Sequence, residues 1–356
     1  MLSRAADGGQ GEQIAEPAGT SPFALPAPYL LFLGDTVEPN YAKTAFGLRD
    51  WAPERCVGEI ALPSARVSTG LPFLQPSEAF ERGARALLIG VATRGGRVPD
   101  DWLPTLIDAL RSGLDIVSGM HDRLSDIPEL AAEARRLGRR LIDVRVPPDG
   151  IPIASGRKRS GRRLLTVGTD CALGKKYTAL AITRGLKARG HDVDFRATGQ
   201  TGIMIAGAGI PIDAVVADFL AGAAELLSPD ALPGHLDVIE GQGSLFHPSY
   251  AAVTLGLLHG SQPDLFVVCH EPGRTHILGM DGFPLPSIED VIAETIAAGQ
   301  LTNPAIRCCG ISLNTSALDM NSAAEIIAAT GRRLALPVAD PVRGIGLDAL
   351  LDACAG

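Results

Sequence analysis

Short apolar runs alternate with amphipathic segments along most of the chain. The first half holds three runs of the length typical of buried strands, separated by segments with apolar residues at helical spacing. The predicted strands are Ala84–Ala92, Leu114–Gly119 and Leu141–Val146, and the predicted helices are Asp100–Gly113 and Ser125–Arg140. Strands alternating with helices predict a parallel sheet. We therefore expect a Rossmann-like α/β domain over residues 28–150, without the glycine fingerprint of dinucleotide binding.

The second half repeats the alternation over residues 164–356. Strands are predicted at Leu164–Gly168, Val193–Thr198, Leu236–Glu240, Leu265–His270, Ile306–Leu313 and Ala335–Val338. Helices are predicted after Gly174, Asp213, Pro248, Ile288 and Ser322, with a short one at the end of the chain. Ligands of such sheets bind at the carboxyl ends of the strands. The residues just after each strand are therefore the candidates for function.

The boundaries between these regions follow changes in composition. With roughly 150 residues per domain as a prior, 356 residues predict two domains. Residues 1–27 are rich in Gly, Ala and Pro and predict a flexible tail. Residues 151–163 predict a basic linker, in which five of the seven residues 157–163 are Lys or Arg. This cluster is either a solvated linker or a source of attraction at the mouth of a phosphate site.

The composition of the chain disfavours several classes of protein and of binding partner. With 46% hydrophobic residues and no apolar run near the ~18 residues of a membrane span, a membrane protein is not expected. The six cysteines form no C-x-x-C pair, which favours a reducing, cytoplasmic compartment. The net charge of −8 disfavours nucleic acid and anionic membranes as partners.

The clearest motif follows the strand at Leu164–Gly168. Gly168 through Gly174 form a glycine-bounded turn, and Lys175 opens a predicted helix. Backbone N–H groups, the helix dipole and the lysine charge together favour a bound phosphate. In nucleotide triphosphatases a Ser or Thr that binds Mg²⁺ comes next, but here the residue is Lys176.

Polar residues follow the later strands as well. Glu240 precedes a Gly-Gln-Gly turn and is a candidate general base or metal ligand, with His247 seven residues on. Arg274 follows the next strand and is suited to holding a carboxylate, whereas Pro272 in the same segment argues against a helical zinc motif. A metal ion is therefore not expected.

Two further groups complete the candidates. Asn314 ends a strand and offers a donor and an acceptor to an adenine edge. Gly199 and Gly202 permit close backbone approach to a ligand, and Arg196, Asp213 or Asp218 is expected to contact that ligand.

These motifs resemble those of dethiobiotin synthetase and its phosphate-loop relatives. The matching residues are Gly168, Thr169, Asp170, Gly174, Lys175, Glu240, Gly241 and Asn314. Lys176 departs from that family, which has its magnesium-binding Thr at this position. The resemblance implies a P-loop domain with a mostly parallel sheet.

A closer resemblance covers nearly the whole chain. The segments VSGMHDRLSD, VGTDCALGKK, IEGQGSLFHP and ISLNTS, in this order, are similar to those of the domain-of-unknown-function 1611 family. Some members of that family are D-glutamate N-acetyltransferases that use acetyl-CoA in D-glutamate breakdown. The resemblance implies an acetyltransferase with acetyl-CoA and an acidic D-amino acid as its small-molecule substrates. We also expect a homo-oligomer.

Coenzyme A accounts for the unusual lysine, because its phosphates are bound without obligatory Mg²⁺ and a second ammonium helps to neutralise them. The expected CoA-binding residues are Gly168, Thr169, Cys171, Ala172, Gly174, Lys175, Lys176, Tyr177, Asn314 and Thr315. The expected catalytic residues are Glu240 or Asp170 as the base and Lys175 as a stabiliser of phosphate or oxyanion. The expected substrate-binding residues are Arg274, Arg196, His247 and Asp213. Direct transfer to the amine is preferred over an acetylated Cys171.

Two other functions stay open. An ATP- and Mg-dependent ligase or carboxylase fits the loop and Glu240 but not Lys176, and a nucleotide-binding protein without catalysis fits the loop alone. The first domain is expected to reach the substrate through Ser118–Asp122, at a strand end.

Overall fold

A computed structural model of the protein describes residues 24–356, apart from the side chain of Arg94. The predicted tail at residues 1–27 therefore lies mostly outside the described residues. Its last four residues are ordered against the protein, because the N–H of Leu25 donates to the carbonyl oxygen of Gly207 at 2.6 Å.

The first sheet is fully parallel, as the alternating pattern predicts. It contains β1 (Tyr29–Phe32), β2 (Cys56–Ile60), β3 (Ala86–Ile89), β4 (Asp115–Ser118) and β5 (Leu141–Asp143). The strands lie in the order β2-β1-β3-β4-β5, a doubly wound arrangement. The helices of this region are α1 (Lys43–Trp51), α2 (Pro76–Glu81), α3 (Leu103–Arg111) and α4 (Pro128–Leu137).

The second sheet has six parallel strands in the order β13-β12-β9-β6-β8-β7. They are β6 (Arg162–Gly168), β7 (Val193–Arg196), β8 (Leu236–Ile239), β9 (Leu265–His270), β12 (Arg307–Leu313) and β13 (Val338–Ala339). A separate antiparallel pair is formed by β10 (His276–Ile277) and β11 (Met280–Pro284). Because β6 lies between β8 and β9, the residues that follow these three strands meet at one edge.

Helices cover both faces of this sheet. They are α5 (Lys175–Ala188), α6 (Gln200–Ala206), α7 (Ala217–Leu227), α8 (Ala251–Ser261), α9 (Ile288–Gly299), α10 (Met320–Leu334) and α11 (Leu347–Ala355). Sequence signals explain several of their starts: Ser287 and Asp290 form a capping box for α9, and Asp319 caps α10. The short helix α6 was not predicted, because its seven residues are too few for a helical period.

The apolar core of the first sheet extends to helices of the second domain. Ile203, Met204 and Ile205 of α6 are buried in the same cluster as Leu30 and Ile116 of the first sheet. The ring of Trp51 stacks on that of Tyr177, with centroids 5.8 Å apart. The first domain is therefore packed firmly against the face of the second that carries α5 and α6.

The basic segment at residues 151–163 differs from both of its interpretations. Arg162 and Arg163 belong to β6, and Arg159 and Arg163 are buried. Arg159 donates to the carbonyl oxygens of Ser228 and Gly260. Arg159 and Arg163 are therefore part of the folded domain, whereas Arg157 and Lys158 are exposed. The cluster lies at the start of β6, opposite the phosphate loop.

No helix within residues 24–356 combines the length and apolar character that crossing a membrane requires.

Candidate active site

The phosphate loop joins the end of β6 to the start of α5. Ala172 (φ 55°) and Gly174 (φ 102°) both adopt left-handed backbone conformations in this loop. Such conformations turn successive N–H groups towards one concave site suited to an anion, and the helix N-terminus adds its dipole. Lys175 is buried, and its Nζ donates to the carbonyl oxygen of Asp170 at 2.7 Å. Burial lowers the pKa of Lys175.

Glu240 lies beside this loop, immediately after β8, as the strand order requires. Its Oε2 accepts hydrogen bonds from the N–H groups of Thr198 (3.0 Å) and Gly199 (3.1 Å). Burial raises the pKa of Glu240, while the Lys176 ammonium opposes this shift. Among the side chains and backbone groups that the structure describes, which exclude the Arg94 side chain, no donor hydrogen-bonds to Oε1 of Glu240. The carboxylate is thus anchored through one oxygen and has the other available for a substrate proton.

Three glycines make room for this arrangement. A Cβ on Gly202 would lie 2.2 Å from Oε2 of Glu240, and one on Gly241 would lie 1.6 Å from the carbonyl oxygen of Thr166. A Cβ on Gly199 would lie 2.8 Å from Nε2 of Gln242. Gly199 and Gly202 therefore allow close approach, as predicted, but the groups that approach them are the side chains of Glu240 and Gln242.

Lys176 lies over an aromatic ring and is within electrostatic reach of Glu240. Its Nζ lies 4.4 Å from the ring centroid of Tyr177, a favourable cation–π distance. Burial lowers the pKa of Lys176, and the charge of Glu240 opposes this shift. The side chain therefore places an ammonium group next to the loop, at the position where the dethiobiotin synthetase pattern has a hydroxyl.

Asp170 is fully buried and committed to the fold. Its Oδ1 accepts the N–H of Cys171 at 2.6 Å, and its Oδ2 accepts both the Arg274 guanidinium (2.9 Å) and the N–H of Leu278 (2.8 Å). Arg274 also pairs with Glu271. The geometry therefore argues against Asp170 as the base and against Arg274 as a free carboxylate receptor.

The other predicted substrate residues are also engaged within the protein. Arg196 donates to the buried carboxylate of Asp237 at 2.6 Å, and Asp213 lies 3.7 Å from the Arg145 guanidinium. Neither Arg196 nor Asp213 lines the cleft beside the phosphate loop. Their predicted contact with substrate is not supported by the geometry.

His247, Asp170 and Cys171 bring three potential metal ligands within 4.8 Å of one another. The N–H of Ser249 donates to Nδ1 of His247 at 3.1 Å, so the neutral ring carries its proton on Nε2, the atom facing Asp170. Burial also raises the pKa of the Cys171 thiol. A protonated Nε2 and a thiol do not fit a bound cation, and they also argue against Cys171 as an acetyl acceptor.

A second, mainly apolar cavity of about 270 Å³ lies beside the loop. Tyr177, Leu313, Asn314, Pro341 and Val342 contribute to its wall. Oδ1 of Asn314 accepts the N–H of Ser316 at 3.2 Å, which leaves its amide NH₂ for a ligand.

Two predicted CoA-binding residues are instead bonded inside the fold. Thr315 lies behind the wall of this cavity and donates to the buried carboxylate of Asp340. Thr169 is hydrogen-bonded to His270 at 3.1 Å. Their side chains therefore support the loops around the site.

The main cleft, about 550 Å³, lies between the phosphate loop, Glu240 and the first domain. The first domain contributes Asn40, Tyr41, Lys43, Thr44 and Ala92 to its wall. The predicted Ser118–Asp122 segment is not part of this wall, and Gly119 instead faces Gln200 of α6. The sequence-based prediction missed Lys43, which follows no motif.

Comparison with known proteins agrees with this architecture. Residues 152–351 match the family described as domain of unknown function DUF1611_C, P-loop domain, and residues 55–147 match DUF1611_N, Rossmann-like domain. A crystal structure of a DUF1611 family protein from Anabaena variabilis is 37% identical with a TM-score of 0.79, covering 91% of this chain and 98% of that one.

Two curated relatives carry the name D-glutamate N-acetyltransferase. The protein from Tritonibacter scottomollicae is 48% identical over 93% of this chain and 99% of its own length. The protein from a Pseudoalteromonas species is 47% identical over 91% of this chain and 97% of its own length. With its Rossmann-like and P-loop halves both matched, this chain belongs to the DUF1611 family.

Proposed function

We propose that this protein is an N-acetyltransferase that transfers the acetyl group of acetyl-CoA directly to the amine of D-glutamate. The observation that carries the proposal is the identity of nearly half of all residues, over almost the full length, to two proteins named D-glutamate N-acetyltransferase. The geometry of the cleft supports the same chemistry.

The phosphate loop supports a site for the phosphates of CoA. Its left-handed residues, Ala172 and Gly174, direct backbone N–H groups to an anion at the start of α5. Lys176 contributes an ammonium beside this loop. A fixed positive charge in place of a magnesium-binding hydroxyl favours a phosphate ligand that comes without a metal ion.

The apolar cavity next to the loop supports a site for the adenine ring. Tyr177 and Leu313 offer flat and apolar surface, and the Asn314 amide offers a donor to a ring nitrogen. The cavity and the cleft share Gly174 and Tyr177, so one extended molecule reaches from the adenine cavity past the phosphate loop into the cleft.

Glu240 supports the proton transfer. With a pKa raised by burial and a free Oε1, it accepts a proton from the substrate ammonium. The amine nitrogen then attacks the thioester carbonyl carbon, the C–N bond forms and the C–S bond breaks. The CoA sulfur leaves as a thiolate and takes up the second proton that the nitrogen loses on becoming an amide. Glu240 releases the first proton to solvent, so the overall reaction liberates one proton.

The proposal is tested by a direct assay. Purified protein with acetyl-CoA and D-glutamate is expected to release CoA thiol and to form N-acetyl-D-glutamate, detected by mass spectrometry. L-Glutamate and a panel of D-amino acids serve as comparison substrates. Calorimetry that shows tight Mg-dependent ATP binding and no acetyl-CoA binding would contradict the proposal and favour a ligase.

The replacement Lys176→Thr tests the role of the second lysine. It removes one ammonium from the phosphate loop and restores the hydroxyl of the dethiobiotin synthetase pattern. We expect acetyl-CoA to bind about tenfold more weakly, by calorimetry without metal. Lys187→Met, at an exposed lysine near the end of α5, is the control. Unchanged affinity in Lys176→Thr would show that Lys176 does not hold a phosphate.

The proposal also keeps two predictions made from the sequence, a cytoplasmic location and a homo-oligomeric state. Size-exclusion chromatography with light scattering measures the second.

A further inference from the structure

The acceptor carries two carboxylates under the proposed function, yet the arginines expected to bind them are used elsewhere. Arg274 is paired with Asp170 and Glu271, and Arg196 is paired with Asp237. If either arginine turned to a substrate, Asp170 or Asp237 would stay buried without its cation. The receptor for the substrate must therefore be another cation of the cleft.

Lys43 is such a cation, and it comes from the first domain. It is exposed, it lines the cleft that contains Glu240, and it takes part in no ion pair among residues 24–356. Its position is fixed from two sides. The N–H of Ala45 donates to the carbonyl oxygen of Gly90, and Oγ1 of the adjacent Thr44 is hydrogen-bonded to Oγ1 of Thr201 in α6 at 3.0 Å.

The start of α1 adds a second positive element at the same place. The helix begins at Lys43, has no side-chain cap at Ala42 and has no acidic residue in its first turn. A lysine at a helix N-terminus adds its charge to the positive end of the dipole, where acidic residues are normally preferred. An anion bound in front of this helix start would interact favourably with both elements.

Charged groups line the cleft from both domains. Glu240 and Lys176 belong to the P-loop domain, and Lys43 belongs to the first domain. The charges of Glu240 and Lys43 act on the pKa of Lys176 in opposite directions. An amino acid whose amine is at Glu240 would have its side-chain carboxylate several bonds away from that base.

We propose that Lys43, at the start of α1, binds the side-chain carboxylate of an acidic amino-acid acceptor. This assignment rests on the proposed function and gives the first domain a role in it: the domain selects the acceptor, while the P-loop domain holds the acetyl donor.

The assignment is tested by replacing the charge and varying the substrate. Lys43→Met is expected to lower kcat/KM for D-glutamate by about tenfold, while kcat/KM for D-glutamine, whose side chain is neutral, changes little. Lys43→Arg is expected to retain most of the preference for D-glutamate, since it keeps the charge. Lys187→Met, which removes a lysine outside the cleft, is the matched control.

A phosphate of the donor is the alternative ligand for Lys43, and a second arm separates it. Acetyl-CoA and acetyl-dephospho-CoA are compared as donors with wild type and Lys43→Met. A raised KM for acetyl-CoA in the variant would overturn the assignment. If the rise is absent with the dephospho donor, Lys43 binds the 3′-phosphate, and if it persists, Lys43 binds the diphosphate.

Two remaining outcomes are distinguishable. An unchanged ratio of D-glutamate to D-glutamine activity in an active Lys43→Met variant would overturn the assignment and leave the proposed function intact. Absence of D-glutamate acetylation by the wild-type protein would overturn the proposed function, and the assignment with it.

Discussion

Two buried carboxylates follow neighbouring strands of the second sheet, and they differ in what their oxygens do. Both oxygens of Asp170, after β6, accept hydrogen bonds, one of them from a guanidinium. Only one oxygen of Glu240, after β8, is held by donors within residues 24–356, and the side chain lines the cleft. Both were candidates for the base. A carboxylate buried at a strand end can therefore act as a general base only if one of its oxygens is left for the substrate.

The largest expected effect comes from removing the Glu240 charge. Glu240→Gln keeps the shape and an acceptor for the N–H groups of Thr198 and Gly199 but cannot take a proton at this site. We expect kcat to fall by roughly 10²- to 10⁴-fold with KM for acetyl-CoA little changed. Steady-state kinetics measure this, and Glu294→Gln, on the exposed face of α9, is the control. A rate within twofold of wild type would exclude Glu240 as the base.

Asp170→Asn is expected to act on stability instead. The amide presents an NH₂ group where Arg274 and the N–H of Leu278 also donate, so a buried pair is lost. We expect the free energy of unfolding in urea to fall by about 3 kcal/mol. Asp281→Asn, at an exposed residue of β11, serves as the control. Full stability of Asp170→Asn combined with a large loss of kcat would indicate that Asp170, and not Glu240, is the general base.

Gly202→Ala perturbs Glu240 without changing its chemistry. The new Cβ would lie 2.2 Å from Oε2 and push the carboxylate out of place. We expect kcat to fall by about tenfold, since misplacement of a reacting group by about 1 Å is costly. Gly282→Ala, where no atom lies within 4 Å of the added Cβ, is the matched control. Unchanged activity in Gly202→Ala would show that the position of Glu240 is not critical.

The pH dependence is the mildest test, because it leaves the sequence intact. Glu240 must be deprotonated to act as a base, so kcat is expected to halve as the pH falls to its pKa, which burial raises above 4.5. Because the folded-state pKa exceeds the unfolded one, the folded state binds the proton more tightly, and stability declines as pH rises through this window. The residual rate of Glu240→Gln should lack this acid limb.

Much of the sheet and its loops was predictable from the sequence. Apolar runs predicted most strands closely, and β9 has the predicted bounds of Leu265–His270. However, β1 and β2 were not predicted, and β13 overlaps its predicted range only at Val338. The order of β8, β6 and β9 brings Glu240 next to the phosphate loop, as the prediction assumed. These features were predictable because strand burial and tight glycine turns depend on neighbouring residues.

The partners of charged side chains were not predictable in the same way. Arg274 was expected to bind substrate, but it pairs with Asp170, which is 104 positions away. Arg159 and Arg163 belong to the predicted basic linker, but in the structure they donate to carbonyl oxygens at the ends of α7 and α8. Lys43 reaches the cleft only because α1 packs on α6. Each of these contacts depends on the tertiary fold, which charge spacing in the sequence does not encode.

The apolar residues of α6 that complete the core of the first domain have a consequence for synthesis. Ile203, Met204 and Ile205 leave the ribosome about sixty residues after β5, so the first domain emerges with part of its core still missing. Expressed alone, residues 24–150 would expose that apolar surface to solvent and to other chains. We therefore expect the N-terminal half to aggregate by itself, and a chain that ends after α6 to aggregate as well, because β6 would lack its neighbours β8 and β9. The unit that folds is thus larger than either half of the chain.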